Sequence, residues 1–466
     1  MEGWVRDHHR RRLDRLGWAE AISPVGTPLW AAEEPAPRGG NSLRVHVDGA
    51  AALPAMAAAM RRAQSSVHIA AWHSSPDFRL ARDDGAPPLR DLLAAIAERV
   101  PVRLLMWAGP PAPVFKPTRG MARASRQEFV RDSRVQCALD ARERSLHCHH
   151  EKLVIVDGRV AFVGGIDLTA LAGDRYDSPA HRPHAPIGWH DAAVELAGPA
   201  VGDVARHFAA RWREATGEPL PEPELPEPAG PHTVQVVRTV PERTYRFARR
   251  GDFTLVGSYL RALRSARRLI YLENQFLWST EVVDILVEKL RHPPADAFRI
   301  LLVLPARPNN GADTTRGQLG RLLEADGDAH RLLATTLTAH DEEANGPLYV
   351  HAKIGIVDDE WLTIGSANLN EHSLFNDTEM NVVTCDATLV RETRLQLWAE
   401  HLQAPFGEFD GDPAQAIDQV WRPLAEEQLR RSQAGEPRTH RLSLLPGVSR
   451  RTERLFGPMR GLLVDG

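Results

Sequence analysis

The chain is poor in cysteine: Cys137, Cys148 and Cys385 are the only three in 466 residues. So few, and an odd number, exclude a disulfide framework. Cys148 stands among histidines in "HCHH" (147–150), but no CxxC or other paired spacing accompanies it, which argues against a zinc site there. Aromatic residues amount to 6 % and the formal charge is −4. An enzyme of nucleic acids would be expected to show excess basic charge and aromatic stacking surfaces, so no nucleic-acid partner is expected. Long apolar runs are missing as well. "AALPAMAAAM" (51–60) is too short to span a bilayer, and "MEGWVRDHHRRRLDRLGW" has no apolar core of the kind a secretory signal carries. These absences predict a cytoplasmic chain, with peripheral contact at the inner membrane surface left open. Two segments bear on that contact. The first helix carries Trp4, Leu13, Leu16 and Trp18 beside arginines, either for a membrane surface or, more simply, for the core. The ending "RTHRLSLLPGVSRRTERLFGPMRGLLVDG" (438–466) mixes arginine with leucine, which suits anionic lipid or a tail across the body of the protein.

What the sequence does have is duplication. "TGEPLPEPELPEPAGP" (216–231) alternates proline with glutamate and reads as a stiff exposed linker. On either side the same events recur. "AMAAAMRRAQSSVHIAAWH" and "YLRALRSARRLIYLENQFL" are each a helix running into a buried strand. "PVRLLMW" (101–107) and "FRILLVLP" (298–305) are short apolar runs typical of strands covered on both faces. The expected division is an N-terminal helical extension (1–40), a first half (41–215), the linker (216–231) and a second half (232–466). Each half is expected to be an α/β sandwich.

Each half then delivers one motif: "HEKLVIVDG" from His150 and "HAKIGIVDD" from His351. Both predict a strand, a turn and a returning strand. Side chains two apart on a strand share a face, so His150 points with Lys152 and His351 with Lys353. The returning strands end at matched distances in Gly164-Gly165 and Gly365-Ser366, followed by Asp167 or Asn368. Two histidines, two lysines and an asparagine suit a phosphate. One imidazole can attack phosphorus while the other protonates the leaving oxygen, and this route needs no metal. No HExxH or carboxylate cluster with metal spacing is present, so neither a metal nor another cofactor is expected. Asp191 in "GWHDAAVEL" and Glu379 in "NDTEMNVV" are candidates to orient the histidines. Asp157 and Asp358 at the strand-to-turn junctions read as structural. Glu273, Asn274 and Gln275 end a buried strand, where α/β sheets present ligand groups. His147, His149 and His190 read as neighbours of the motifs rather than catalysts.

At these residues the sequence resembles the phospholipase D superfamily, whose motif is HxKxxxxD followed by GG or GS. "GGIDLT", "DRYDSPAH", "WHD", "YLENQF", "IGSANLN" and "LWAEHL" look like phospholipase D proper. The resemblance implies two fused α/β sandwich halves about a pseudo-twofold axis with one active site between them, complete in a single chain. It implies that His150 is the nucleophile and His351 the general acid and then base. Lys152, Lys353 and Asn368 would hold the phosphate, with Asp167 matching Asn368, and Gly165, Ser366, Gln275 and Glu273 beside them. The substrate implied is a phospholipid at a membrane surface, with water or an alcohol as acceptor. A phosphatidyltransferase of the cardiolipin synthase kind is the alternative, and a nuclease the next. Two residues depart from the family: Glu151, where glutamine is common, and His372, where eukaryotic-type members usually show arginine.

Overall fold

The computed structural model describes residues 2–445 apart from 24–28, 32–33, 83–84, 112–115, 144–146, 177–180, 310–311 and 342–343. Most of the basic tail (446–466) and part of the loop at 177–180 therefore lie outside the described residues.

The strands before the linker are β1 (Arg38–Val47), β2 (Val67–Ala71), β3 (Val102–Trp107), β4 (Gln136–Asp140), β5 (Leu153–Val156), β6 (Val160–Gly164), β7 (Gly188–His190) and β8 (Ala192–Ala197). After it come β9 (His232–Thr239), β10 (Leu269–Asn274), β11 (Arg299–Val303), β12 (Leu332–His340), β13 (Asn345–Val350), β14 (Lys353–Val357), β15 (Trp361–Gly365), β16 (Glu379–Thr384) and β17 (Leu442–Leu444). In the first half they pair in the order β1-β8-β6-β5-β2-β3-β4. In the second the order is β9-β16-β15-β14-β10-β11-β12, with β17 added at the edge. Leaving β17 aside, which pairs antiparallel with β12, each sheet has the same mix: four antiparallel pairings, then two parallel ones. The protein is a duplicated α/β fold.

β1 starts three residues before the expected boundary at 41, and those residues join the two sheets: Arg38 pairs with Val234 and Asn41 with His232. Alternation along the strands sorts side chains into layers. Leu153, Ile155, Ala161 and Val163 face a core shared with Ile354, Ile356, Leu362 and Ile364 of the other half. Val154, Val156 and Phe162 turn to the first half's own helices, as Ile270, Leu272 and Ile300 do in the second. Strands buried on both faces are why the apolar runs showed no alternation.

Among its described side chains, which do not include Trp4, the first helix, Glu2–Leu16, packs on the second half. Leu13 is buried there and Trp18 packs edge-on to Phe253. Arg12 reaches the Glu242 carboxylate at 2.6 Å and the Phe375 carbonyl at 3.0 Å. This helix serves the core, the simpler of the two readings. Among the described residues no helix is long and apolar enough to cross a membrane.

Candidate active site

The two motifs fold into the expected hairpins, β5–β6 and β14–β15. His150 and Lys152 lie just ahead of β5, which starts at Leu153. Asp157 and Asp358 hold the hairpins to the preceding strand: each sits at φ 56°, and each carboxylate accepts from three successive backbone N–H groups. Asp157 takes those of Gln64, Ser65 and Ser66, and Asp358 those of Arg267, Arg268 and Leu269.

Each histidine is oriented from the opposite half. The His150 N–H donates to the Thr378 carbonyl at 2.9 Å, and its ring Nδ1 donates to the next residue, Glu379, at 3.0 Å. The His351 N–H donates to the His190 carbonyl at 2.8 Å, and its Nδ1 donates to the next residue, Asp191, at 2.6 Å. The same backbone-then-carboxylate grip appears twice, exchanged between halves, which is what a pseudo-twofold axis through one shared site produces. With Nδ1–H committed in both rings, Nε2 is the nitrogen left for chemistry. Trp189 packs against the His351 ring with centroids 4.2 Å apart. Both histidines are 4 % exposed, more enclosed than an open cleft between halves would leave them.

The lysines lie beside them. Lys152 Nζ donates to the His150 carbonyl at 2.7 Å and pairs with Asp167 at 3.1 Å. Lys353 Nζ donates to the His351 carbonyl and to Gln275 Oε1, the latter at 3.3 Å, and Gln275 Oε1 also accepts from Asn368 Nδ2 at 3.3 Å. Lys152, Lys353, Asn368, Asp167 and Gln275 thus come together around the histidines. Three other expected phosphate neighbours do different work. The Glu273 carboxylate turns to His190 (2.7 Å), His401 (2.9 Å) and the Tyr271 hydroxyl, away from the motif histidines. The Ser366 hydroxyl is spent on Glu379. A Cβ on Gly165 would lie 2.1 Å from Asp191 Oδ1, so the missing side chain makes room for that carboxylate rather than for substrate. Residue type and strand position could not separate a ligand group from one holding a neighbour.

Arg175 was given no role by sequence reasoning, although it sits in the quoted "DRYDSPAH". Its guanidinium lies 3.2 Å from the centre of the Trp189 ring and is 3 % exposed. Nη2 donates to the Leu171 carbonyl, while Nε and Nη1 meet no acceptor among the described residues. Burial lowers its pKa to about 10, against the pull of Asp167 and Asp191. It therefore stays charged at neutral pH, with two donors in hand, near Asp167 and Asp191.

Burial dominates the electrostatics. It pushes the His351 pKa well below the ordinary value, and Lys353, Arg175, Lys152 and His150 add to the shift. Burial raises Asp191 to about 6 and raises Glu379, against the opposing pull of Lys353 on the first and His150 on the second.

Both departures from the family have structural partners. Glu151 is wholly buried and takes His207 Nε2 and Arg211 Nη1, each at 2.8 Å, while Arg211 Nη2 reaches Asp140 at 3.0 Å. A carboxylate replaces the usual amide because a buried guanidinium faces it. Burial alone would raise the Glu151 pKa, but Arg211 and His207 hold it far below the carboxylate range. Arg211→Ala removes the guanidinium from two buried carboxylates, leaving Glu151 with His207 and Asp140 with His149 and Tyr245, and a loss of about 3–5 kcal/mol in urea unfolding is expected. A loss under about 1 kcal/mol would show that the network carries no stability. His372 is buried against His147, Nδ1 to Nδ1 3.2 Å, beside Asp377. His149 is buried and bonds Thr378 Oγ1 at 2.9 Å, and His190 is buried between Asp48 and Glu273. Among the described residues, three groups of side chains have metal-ligand spacing: Asp48, His181, His190 and Glu400; His147, His372 and Asp377; and His190, Glu273 and His401.

Two matched hairpins, two HxK pairs and crossed carboxylates define a duplicated two-histidine fold with one shared site. Residues 59–186 match the family model "Phospholipase D" and residues 259–400 match "Cardiolipin synthase, PLD-like domain", together more than half of the chain. The chain belongs to the phospholipase D superfamily. It is 24 % identical to Phospholipase D A of Dictyostelium discoideum, over 78 % of this chain and 35 % of that protein. It is also 24 % identical to Phospholipase D2 of Bos taurus, over 77 % of this chain and 50 % of that one. The chain thus spans half or less of the length of these two relatives. Its fold is similar to that of phosphatidylserine synthase from Haemophilus influenzae Rd KW20, with TM-score 0.53 at 11 % identity, over 84 % of this chain and 93 % of that one.

Proposed function

We propose that this chain is a phosphodiesterase that cleaves or exchanges the head group of glycerophospholipids through a phosphohistidine intermediate. The observation that carries the reading is the pair of histidines, each held at Nδ1 by a carboxylate of the other half, flanked by Lys152 and Lys353. His150 Nε2 attacks phosphorus, and the bond to the leaving alcohol breaks as His351 gives that oxygen its proton. Water or a second alcohol then attacks the phosphohistidine, the P–N bond breaks, and His351 takes the incoming proton. Lys152, Lys353, Asn368 and Arg175 neutralise the non-bridging oxygens. Burial and the neighbouring cations lower the His351 pKa, and the negative phosphodiester, once bound, opposes that shift and favours the proton-donating form. Lipid as substrate is supported by the printed names of the curated relatives. The protein would then act from the aqueous side at a membrane surface, as a single chain.

A phosphatidyltransferase is the second reading, favoured by the family model matched by the second half. Vesicles of phosphatidylcholine and phosphatidylethanolamine, with and without a primary alcohol, test both. Phosphatidic acid that gives way to phosphatidyl-alcohol when alcohol is added is expected. No lipid turnover while phosphatidylglycerol is consumed would move the assignment to the transferase; consumption of plasmid DNA instead would move it to a nuclease. Arg175→Ala is expected to lower kcat/KM by roughly 100-fold with folding retained, and Arg175→Lys to recover only part, because an ammonium cannot offer the planar fork. A rate within threefold of the unmodified protein would remove Arg175 from the phosphate site.

A further inference from the structure

Behind the Asp191–His351 pair lies a second, deeper cluster. It is wholly enclosed: Asp48, His181 and His190 are shielded completely and Glu400 nearly so. His181 Nε2 lies 2.8 Å from Glu400 Oε1 and 3.2 Å from Asp48 Oδ2. His190 Nδ1 lies 3.0 Å from Asp48 Oδ1 and 3.6 Å from Glu400 Oε1. Asp48 Oδ2 receives no hydrogen bond among the described residues, although the His181 nitrogen is so close. His181 Nε2 can give its one proton to Glu400, which leaves Asp48 Oδ2 a buried acceptor without a donor, in a group of four side chains with the spacing of ligands around one ion. Around a tetrahedral zinc with bonds of about 2.0–2.1 Å, ligand atoms sit about 3.4 Å apart. We propose that Asp48, His181, His190 and Glu400 hold one divalent transition-metal cation, zinc by preference, that fastens the two halves together behind the active site.

Two further features fit. Metal-bound histidines usually donate their other ring nitrogen to a carboxylate, and His190 Nε2 reaches Glu273 at 2.7 Å. The charges also close. Asp48, Glu273 and Glu400 bring three carboxylates, and Arg441 brings one permanent positive charge 3.9 Å from Glu400. A divalent cation makes the group neutral with all three histidines uncharged, the form in which they ligate. The ligands come from four places: the end of β1, the loop at His181, the end of β7, and the helix Ala387–Leu402 of the second half. The His190 carbonyl accepts the His351 N–H, and Asp48 Oδ1 accepts the Asp191 N–H. The ion would thus fix the backbone on which the His351–Asp191 pair rests, without touching substrate.

The test is metal content, which is independent of the substrate. The full chain, produced with zinc in the medium and passed briefly over a chelating resin, is expected to keep about one zinc per chain. Exchange for cobalt(II) is expected to give the intense visible absorption of a tetrahedral site. His181→Ala and Asp48→Asn should each drop zinc to less than a tenth of that, whereas His372→Ala, in the separate group with His147 and Asp377, should keep it. Should one of the first two fail to fold, the other and the cobalt spectrum of the unmodified chain still decide. A chain that neither retains zinc nor gives the cobalt spectrum overturns the proposal, leaving an ion-free hydrogen-bonded cluster. So does an ion kept by His181→Ala and lost by His372→Ala. Zinc that washes off with no fall in melting temperature marks adventitious binding and overturns it equally.

Discussion

Replacing His150 by alanine is expected to lower turnover by roughly 10⁴–10⁶-fold, because the covalent route disappears with the nucleophile. Water attacking phosphorus directly would have no imidazole to activate it on that face. Lys152, Lys353 and Arg175 would remain to bind the phosphate, so KM should change far less than kcat. His150 is buried, so His150→Asn serves as the control for folding: it keeps a group able to meet Glu379 but no nucleophilic ring nitrogen. Enzyme incubated with phosphorus-labelled lipid and quenched in detergent at neutral to alkaline pH, where a P–N bond survives, should carry label on the unmodified protein and none on either variant. Near-normal turnover in His150→Ala, or label surviving in it, would sink the assignment. If the label moved to His351, the two roles would simply be exchanged, since the geometry around the two rings is equivalent.

His351→Ala separates the roles through the leaving group. A general acid contributes roughly 10²–10⁴-fold, and only where the leaving oxygen needs a proton. The variant is therefore expected to lose that factor on a lipid whose leaving group is an alkyl alcohol. On a nitrophenyl phosphodiester, whose phenolate leaves unaided, the first step should fall less than about tenfold. The burst of nitrophenol should persist while the steady rate drops, because breakdown of the phosphohistidine still needs a base for water. Equal losses on both substrates would show that His351 acts on binding or on folding instead. Asp191→Asn should reproduce the pattern more weakly, since it leaves the ring in place but loosens its hold at Nδ1.

Much of this was readable in the chain before any fold was known. The 201-residue offset between His150 and His351 announces two copies, and the return to glycine after each aspartate announces two hairpins. Local chemistry sufficed for Asp157 and Asp358, because a carboxylate at a strand-to-turn junction has backbone N–H groups close at hand. It did not suffice for Glu273. A carboxylate ending a buried strand has the same sequence signature whether it meets a substrate or a histidine, and here it meets His190 and His401, 83 and 128 positions away. Arg175 was hidden for the same reason: arginine in a loop is ordinary until the fold buries it over Trp189.

The sequence by itself determined the duplication, the two HxK pairs, the buried parallel strands and hence the two-histidine chemistry, because periodicity and residue type act over a few positions. Only the tertiary structure decided who serves whom. Asp191 follows the first motif yet holds the second histidine, and Glu379 follows the second yet holds the first. That exchange is set by the docking of one half on the other across a shared apolar core, and so is the meeting of His181 with Glu400 behind Asp191. Side chains joined across 150 to 230 positions carry no spacing signal; they meet because burying both sheet faces leaves that one way to assemble.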